Sequence, residues 1–176
     1  VSTQIALLYL ALRDLFILRH AEAVFLGPEV EDAARPLTAK GIRDATALGA
    51  YWNQQGIILS KIMASPAVRT ANTAAAVVAH MPQVDQRVSL LAPLCEGSIN
   101  TLVTMMHTWQ DAWQQVLLVS HKPLISTVLT YLTGAQLLLP PCGYAHIRLD
   151  TASWQEVKAS IGKRISTGSP EDFTTS

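Results

Sequence analysis

Residues 15–20 read Leu15-Phe16-Ile17-Leu18-Arg19-His20: four apolar side chains that stop at an arginine and a histidine. A short apolar run without polar alternation suits a strand buried on both faces. Val116-Leu117-Leu118-Val119 repeats the pattern and stops at Ser120-His121. Lys61-Ile62-Met63-Ala64 gives a third strand, and Ser65-Pro66 follows it as an N-cap with proline at the first helical position. An Ala-rich helix then runs to His80 and carries Arg69 in its first turn.

Working outward from these three strands, helices fill the gaps. Thr38 caps a helix in which Ile42, Ala45, Leu48 and Trp52 recur at helical spacing, and Gly56 closes it. Residues 21–35 read as a loop. Val88 to Leu91 predicts a strand, residues 98–110 a helix, and Pro123 to Leu132 a helix ended by Gly134. Tyr144 to Leu149 and Trp154 to Lys158 predict two more strands around a turn at Asp150 to Ser153. Met105, Met106, Trp109 and Trp113 read as core. The alternation predicts an α/β fold, a three-layer sandwich with a mostly parallel central sheet. Ligands of such folds sit outside the carboxyl ends of the strands. Arg19-His20, Ser65 to Arg69, and Ser120-His121 all fall there.

The length of 176 residues fits one domain. We read residues 1–13 as an N-terminal extension of unassigned role, 14–162 as the domain, and 163–176 as a loose tail rich in Ser, Thr, Gly and Pro. The apolar run Ile5 to Leu12 falls far short of the roughly 20 residues of a membrane span. No Lys or Arg precedes it and no small-residue cleavage signal follows, which weakens a signal-peptide reading. The chain is 49% hydrophobic and 15% charged, with zero formal net charge. That composition argues against a general nucleic-acid or anionic-membrane binder while allowing a small basic pocket. Cys95 and Cys142 form no Cys-x-x-Cys pair, and the five histidines show no close metal spacing. The expectation is a cytoplasmic, reducing, metal-independent protein without a cofactor.

The clustered residues suit phosphoryl chemistry. Charge on three transferred oxygens must be held by fixed donors, and arginine grips two oxygens while staying ionised. Arg19 and Arg69 supply two such forks. A neutral histidine offers one nitrogen lone pair if its other nitrogen keeps the proton. Neighbouring arginines lower the pKa of His20, so it stands ready as a nucleophile. His121 is placed to donate to a phosphoryl oxygen.

Four blocks carry a family resemblance. Leu18-Arg19-His20-Ala21-Glu22 resembles the Arg-His-Gly/Ala motif of the histidine phosphatase superfamily, the phosphoglycerate-mutase-like group. Arg35-Pro36-Leu37-Thr38-Ala39-Lys40-Gly41, the segment Ser65 to Ala74, and Val119-Ser120-His121-Lys122-Pro123 resemble its next blocks, in family order. The Arg-Pro-Leu-Thr block is similar to that of the short SixA-type phosphohistidine phosphatases. The resemblance implies that His20 becomes phosphorylated, with Arg19, Arg69 and His121 around the phosphate. Arg35 is a further candidate contact and Ser65 another. Larger relatives place an acidic proton donor after the third strand, where this chain offers Glu96; the alternative is that Glu96 merely starts the next helix. The expected substrate is a phosphohistidine-bearing protein domain. A small-molecule phosphomonoesterase or mutase of the same fold, and a non-catalytic phosphate-binding module, are the alternatives.

Overall fold

The computed structural model describes residues 12–25, 27, 31–85 and 87–174. Most of the segment 1–13, read as an extension, lies outside the described residues. A six-stranded sheet forms the centre: β1 (Arg13–Arg19), β2 (Lys61–Ala64), β3 (Val88–Leu90), β4 (Gln115–Ser120), β5 (Tyr144–Leu149) and β6 (Gly162–Gly168). The spatial order is β3-β2-β4-β1-β5-β6. β1 to β4 run parallel to one another, and β5 runs antiparallel to both of its neighbours, β1 and β6.

Alternation along β1 builds a core on each side, because successive side chains of a strand point to opposite faces. Leu15 and Ile17 join Val116, Leu118, Leu129 and Trp154 on one face. Phe16 and Leu18 join Leu117, Val119, Trp52 and Val77 on the other. The helices supply the outer layers: α1 (Ala39–Gln54), α2 (Val68–Val78), α3 (Pro93–Glu96), α4 (Ile99–Met106), α5 (Leu124–Thr133) and α6 (Pro170–Phe173). Met106 and Trp109 are buried in the first core, with Met105 and Trp113 packed against it.

Local signals explain most boundaries. Thr38 Oγ1 accepts from the Gly41 N–H and caps α1. A Cβ on Gly41 would lie 2.2 Å from the Glu22 carbonyl oxygen, so only glycine lets α1 approach the loop after β1 this closely. Gly134 closes α5 at φ 70°, in the left-handed region.

Five expectations are corrected. α2 starts at Val68, not beside Ser65, and ends at Val78, short of His80. The Ser65 hydroxyl accepts from the Ala67 N–H, and Thr70 Oγ1 donates to the Ser65 and Ala67 carbonyls, so a side-chain-closed turn precedes the helix. The helix expected over 98–110 is α4, which stops short at Met106; a separate one-turn helix, α3, precedes it across Gly97, whose ψ of 147° is extended. Ile42 is half exposed and lies outside both cores. Trp154–Glu156 is a 3₁₀ turn, not a strand. The polar stretch from Lys163 is not loose at its start, because Gly162–Gly168 forms the edge strand β6. An edge strand ladders on one side only and tolerates exposed Lys163, Arg164, Ser166 and Thr167, so its composition mimics a tail.

Candidate active site

The strand ends come together by register. Arg19 pairs with Ser120, and Ala64 with Val119, so β1, β4 and β2 finish side by side. Because β5 is antiparallel, its entry loop arrives at the same edge. The Arg19 N–H donates to Gly143 O at 3.0 Å, and Cys142 N–H to His20 O at 3.1 Å. The His20 N–H donates to Ser120 O at 2.9 Å, which extends the β1–β4 ladder through the histidine.

His20 is held on one ring nitrogen. Its Nδ1–H donates to the Ala21 carbonyl at 2.8 Å, which leaves the lone pair on Nε2. Burial above all pushes its pKa down, to about 4, and the positive charges of Arg69 and Arg19 and the nearby His121 add to this; the Ala21 hydrogen bond opposes it. The ring is therefore neutral and nucleophilic at neutral pH.

Arg19 donates through Nη1 to Leu139 O at 3.0 Å. Its Nε is buried with no hydrogen-bond partner, and burial lowers its pKa. An orphaned buried donor at the mouth of such a site is what an incoming anion can satisfy. Arg69, the second residue of α2, is 6% exposed. Thr73 ties it to the loop after His20: Thr73 Oγ1 accepts from Ala21 N–H at 3.0 Å and donates to Arg69 O at 2.6 Å.

His121 faces His20 with ring centroids 6.2 Å apart. Its Nε2 lies 3.3 Å from Cys95 O, and Nδ1 lies 3.5 Å from Arg69 Nη2. Burial first, and then Arg69, hold its pKa below the usual value. Both nitrogens thus have protein partners. To donate to a phosphoryl oxygen through Nδ1, His121 must take up a proton, which the negative charge of that oxygen favours.

The four core candidates converge, and the other three do not join them equally. Arg35 reaches the site through Asp32: its Nη1 donates to Asp32 Oδ1 at 2.9 Å, and its Nε to Val24 O at 2.8 Å. Ser65 is fully buried and engaged in the turn before α2, which removes it from direct contact with a ligand. Glu96 is exposed at the end of α3 and does not start the next helix. It is joined to the site through its neighbour Cys95, whose carbonyl meets His121. Among the described residues, no group of three or more His, Cys, Asp or Glu side chains could hold a metal ion.

Sequence reasoning missed Asp32, whose carboxylate lies 2.7 Å from Arg69 Nη2 and 2.9 Å from Arg35 Nη1. It sits in an exposed 3₁₀ turn, Asp32–Ala34. Its place three residues before Arg35 was the available signal, and that spacing alone indicated only a local ion pair. Thr73 belonged to a quoted motif but had no role assigned. The Leu139 to Gly143 loop was invisible because the direction of β5 is a tertiary property.

These features gather two arginines and two histidines at the carboxyl edge of an α/β sheet. Residues 15–108 match the histidine phosphatase superfamily (branch 1), and the chain belongs to that family. His121 lies beyond the matched span and enters the site through geometry. Over 115 residues the chain is 32% identical to an uncharacterized protein of Picosynechococcus sp., covering 62% of this chain and 67% of that one. Its fold is similar to that of the protein histidine phosphatase SixA complexed with tungstate, with a TM-score of 0.79 and 20% identity, covering 90% of this chain and 98% of that one. A structure assigned to phosphohistidine phosphatase SixA from Nakamurella multipartitia gives a TM-score of 0.73 and 23% identity over 90% and 96% of the two chains. At these identities the likeness is one of fold.

Proposed function

We propose that the protein is a phosphohistidine phosphatase that works through a phosphohistidine on His20. Membership of the superfamily supports phosphatase activity. The observation that carries the mechanism is the His20 ring, fixed by Ala21 O through Nδ1 and kept neutral by burial and two arginines. In the first step the Nε2 lone pair attacks phosphorus, and the bond to the leaving group breaks with its electron pair. Arg19 and Arg69 hold the charge on the phosphoryl oxygens, with His121 beside them. In the second step water attacks phosphorus, the P–Nε2 bond breaks, and phosphate and a proton leave while His20 is restored.

The substrate reading follows from leaving-group chemistry. An alkoxide needs a proton from a well-placed acid, whereas the imidazole of phosphohistidine leaves with little help. Glu96 is exposed, with a peptide unit between it and His121, which favours the easier leaving group and a histidine displayed on a partner protein. Cys95 and Cys142 are both free thiols, in keeping with a cytoplasmic setting. The test is a leaving-group series without added metal. Activity should fall steeply from phosphoramidates and aryl phosphates to alkyl phosphates, and quenching in base should trap an acid-labile label on His20. Alkyl phosphates cleaved as fast as phosphohistidine, with that cleavage abolished in Glu96→Gln, would instead make Glu96 a general acid and the protein a phosphomonoesterase.

A further inference from the structure

Arg69 is covered in this structure, and what covers it is an anion. Its Nη1 donates to the Asp32 backbone carbonyl at 2.5 Å and its Nη2 to the Asp32 carboxylate at 2.7 Å. Asp32 therefore fills the end of the guanidinium fork with two oxygens, the pattern by which a phosphoryl group is also gripped. We propose that Asp32 is a built-in competitor for the phosphate pocket, and that a phosphoryl ligand enters by displacing it from Arg69. The proposal rests on the reading of Arg69 as a phosphate ligand given above.

Three observations support displacement over a fixed brace. The turn Asp32–Ala34 buries none of its residues fully, so little apolar packing resists its movement. Its hold on Arg69 is polar, and the Asp32 side chain is 68% exposed, which makes the ion pair exchangeable. A second partner is already in place: Asp32 Oδ1 lies 2.9 Å from Arg35 Nη1, so the carboxylate keeps a cation when it leaves Arg69. Asp32 thus partly neutralises a site that otherwise gathers two arginines. A dianionic phosphoryl group, which also meets Arg19 and His121, can outcompete one carboxylate. A weak monoanion cannot. Asp32 acts in this reading as a specificity-determining residue that keeps the pocket from filling with small anions.

The experiment is calorimetric binding of inorganic phosphate and of tungstate to the wild type, Asp32→Asn, Asp32→Ala and Arg69→Ala. Both Asp32 variants should bind the two anions about two- to fivefold more tightly, the scale of losing one exposed competing ion pair. KM for an aryl phosphate should fall more than kcat changes. Unchanged or weaker binding in both Asp32 variants, while Arg69→Ala loses binding, would overturn the proposal and make Asp32 a brace for Arg69. Arg69→Ala binding both anions as tightly as the wild type would remove the pocket reading itself.

Discussion

At the start of β1, Asp14 accepts hydrogen bonds from Arg148 at 2.9 and 3.1 Å, and its Oδ1 lies 2.9 Å from His146 Nε2. The His146 ring stacks on Phe16 at 4.3 Å. Burial pushes the Asp14 carboxyl up, but the bonds from His146 and Arg148 outweigh it and hold the group below its usual value. At the end of the same strand, about 16 Å away at strand rise, Arg19, His20, Arg69 and His121 gather, and the carboxylate that meets them stands on an exposed turn. Each end of the strand has a histidine and arginines. One end carries a carboxylate of its own within the sheet. The other has a surplus of cations around a neutral histidine, and that surplus is what an external anion answers. A titratable cluster marks a site when its charge is left unbalanced, more than when its members are merely unusual.

The sharpest way to break this comparison is to remove the nucleophile. His20→Ala should lower kcat on an aryl phosphate on the order of 10⁴-fold or more and abolish the acid-labile label. Retained label would make the end of β1 a binding site only.

Arg69→Ala comes next, with a loss of about 2–4 kcal/mol in transition-state binding, read in both kcat and kcat/KM. Arg69→Lys should rescue poorly, because an ammonium cannot grip two oxygens. A fully active Arg69→Ala would contradict an unbalanced site.

Asp14→Asn probes the balanced end. It should cost about 1–3 kcal/mol in denaturant unfolding, since a partly buried charged hydrogen-bond set loses its acceptor charge, while activity per folded molecule holds. The pH dependence has a defined sign. Asp14 contributes stability above the usual carboxylate pKa of 3.8, and this is lost as pH falls through its lower folded value. His20 works in the same direction over a different window: the unfolded ring takes up a proton near 6.5 and the folded one only near 4, so stability falls as pH drops between them. The acid limb of kcat/KM should accordingly reflect a group near 4 and not 6.5. A limb at 6.5 would place His20 in a wetter, less cationic setting.

The smallest effect is expected at Glu96. Glu96→Gln should change turnover of aryl phosphates and phosphoramidates by less than about threefold, because those leaving groups need little protonation. A large loss would bring an acid into the site and alter its charge balance.

The sequence by itself determined the strands that end at Arg19, Ala64 and Ser120, and it placed the candidate site residues at their ends. Short apolar runs bounded by turn signals suit strands buried on both faces of a sheet, and polar residues placed just after them then emerge at its edge. The caps of α1 and α5 were legible for the same reason: Thr38 and Gly134 act on backbone groups within a few residues. The tertiary structure alone decided what lies across from those residues. It chose Ala21 O as the partner of His20 Nδ1, brought the Leu139–Gly143 loop to Arg19 through an antiparallel strand, made a strand of polar residues 162–168 by giving them a ladder partner, and set Asp32 on Arg69. These contacts, apart from the His20–Ala21 bond, link residues distant in the chain, and their energies depend on burial and on neighbouring charge, which local sequence does not encode. Even the His20–Ala21 bond depends on the loop that Thr73 and Gly41 hold in place from elsewhere in the fold.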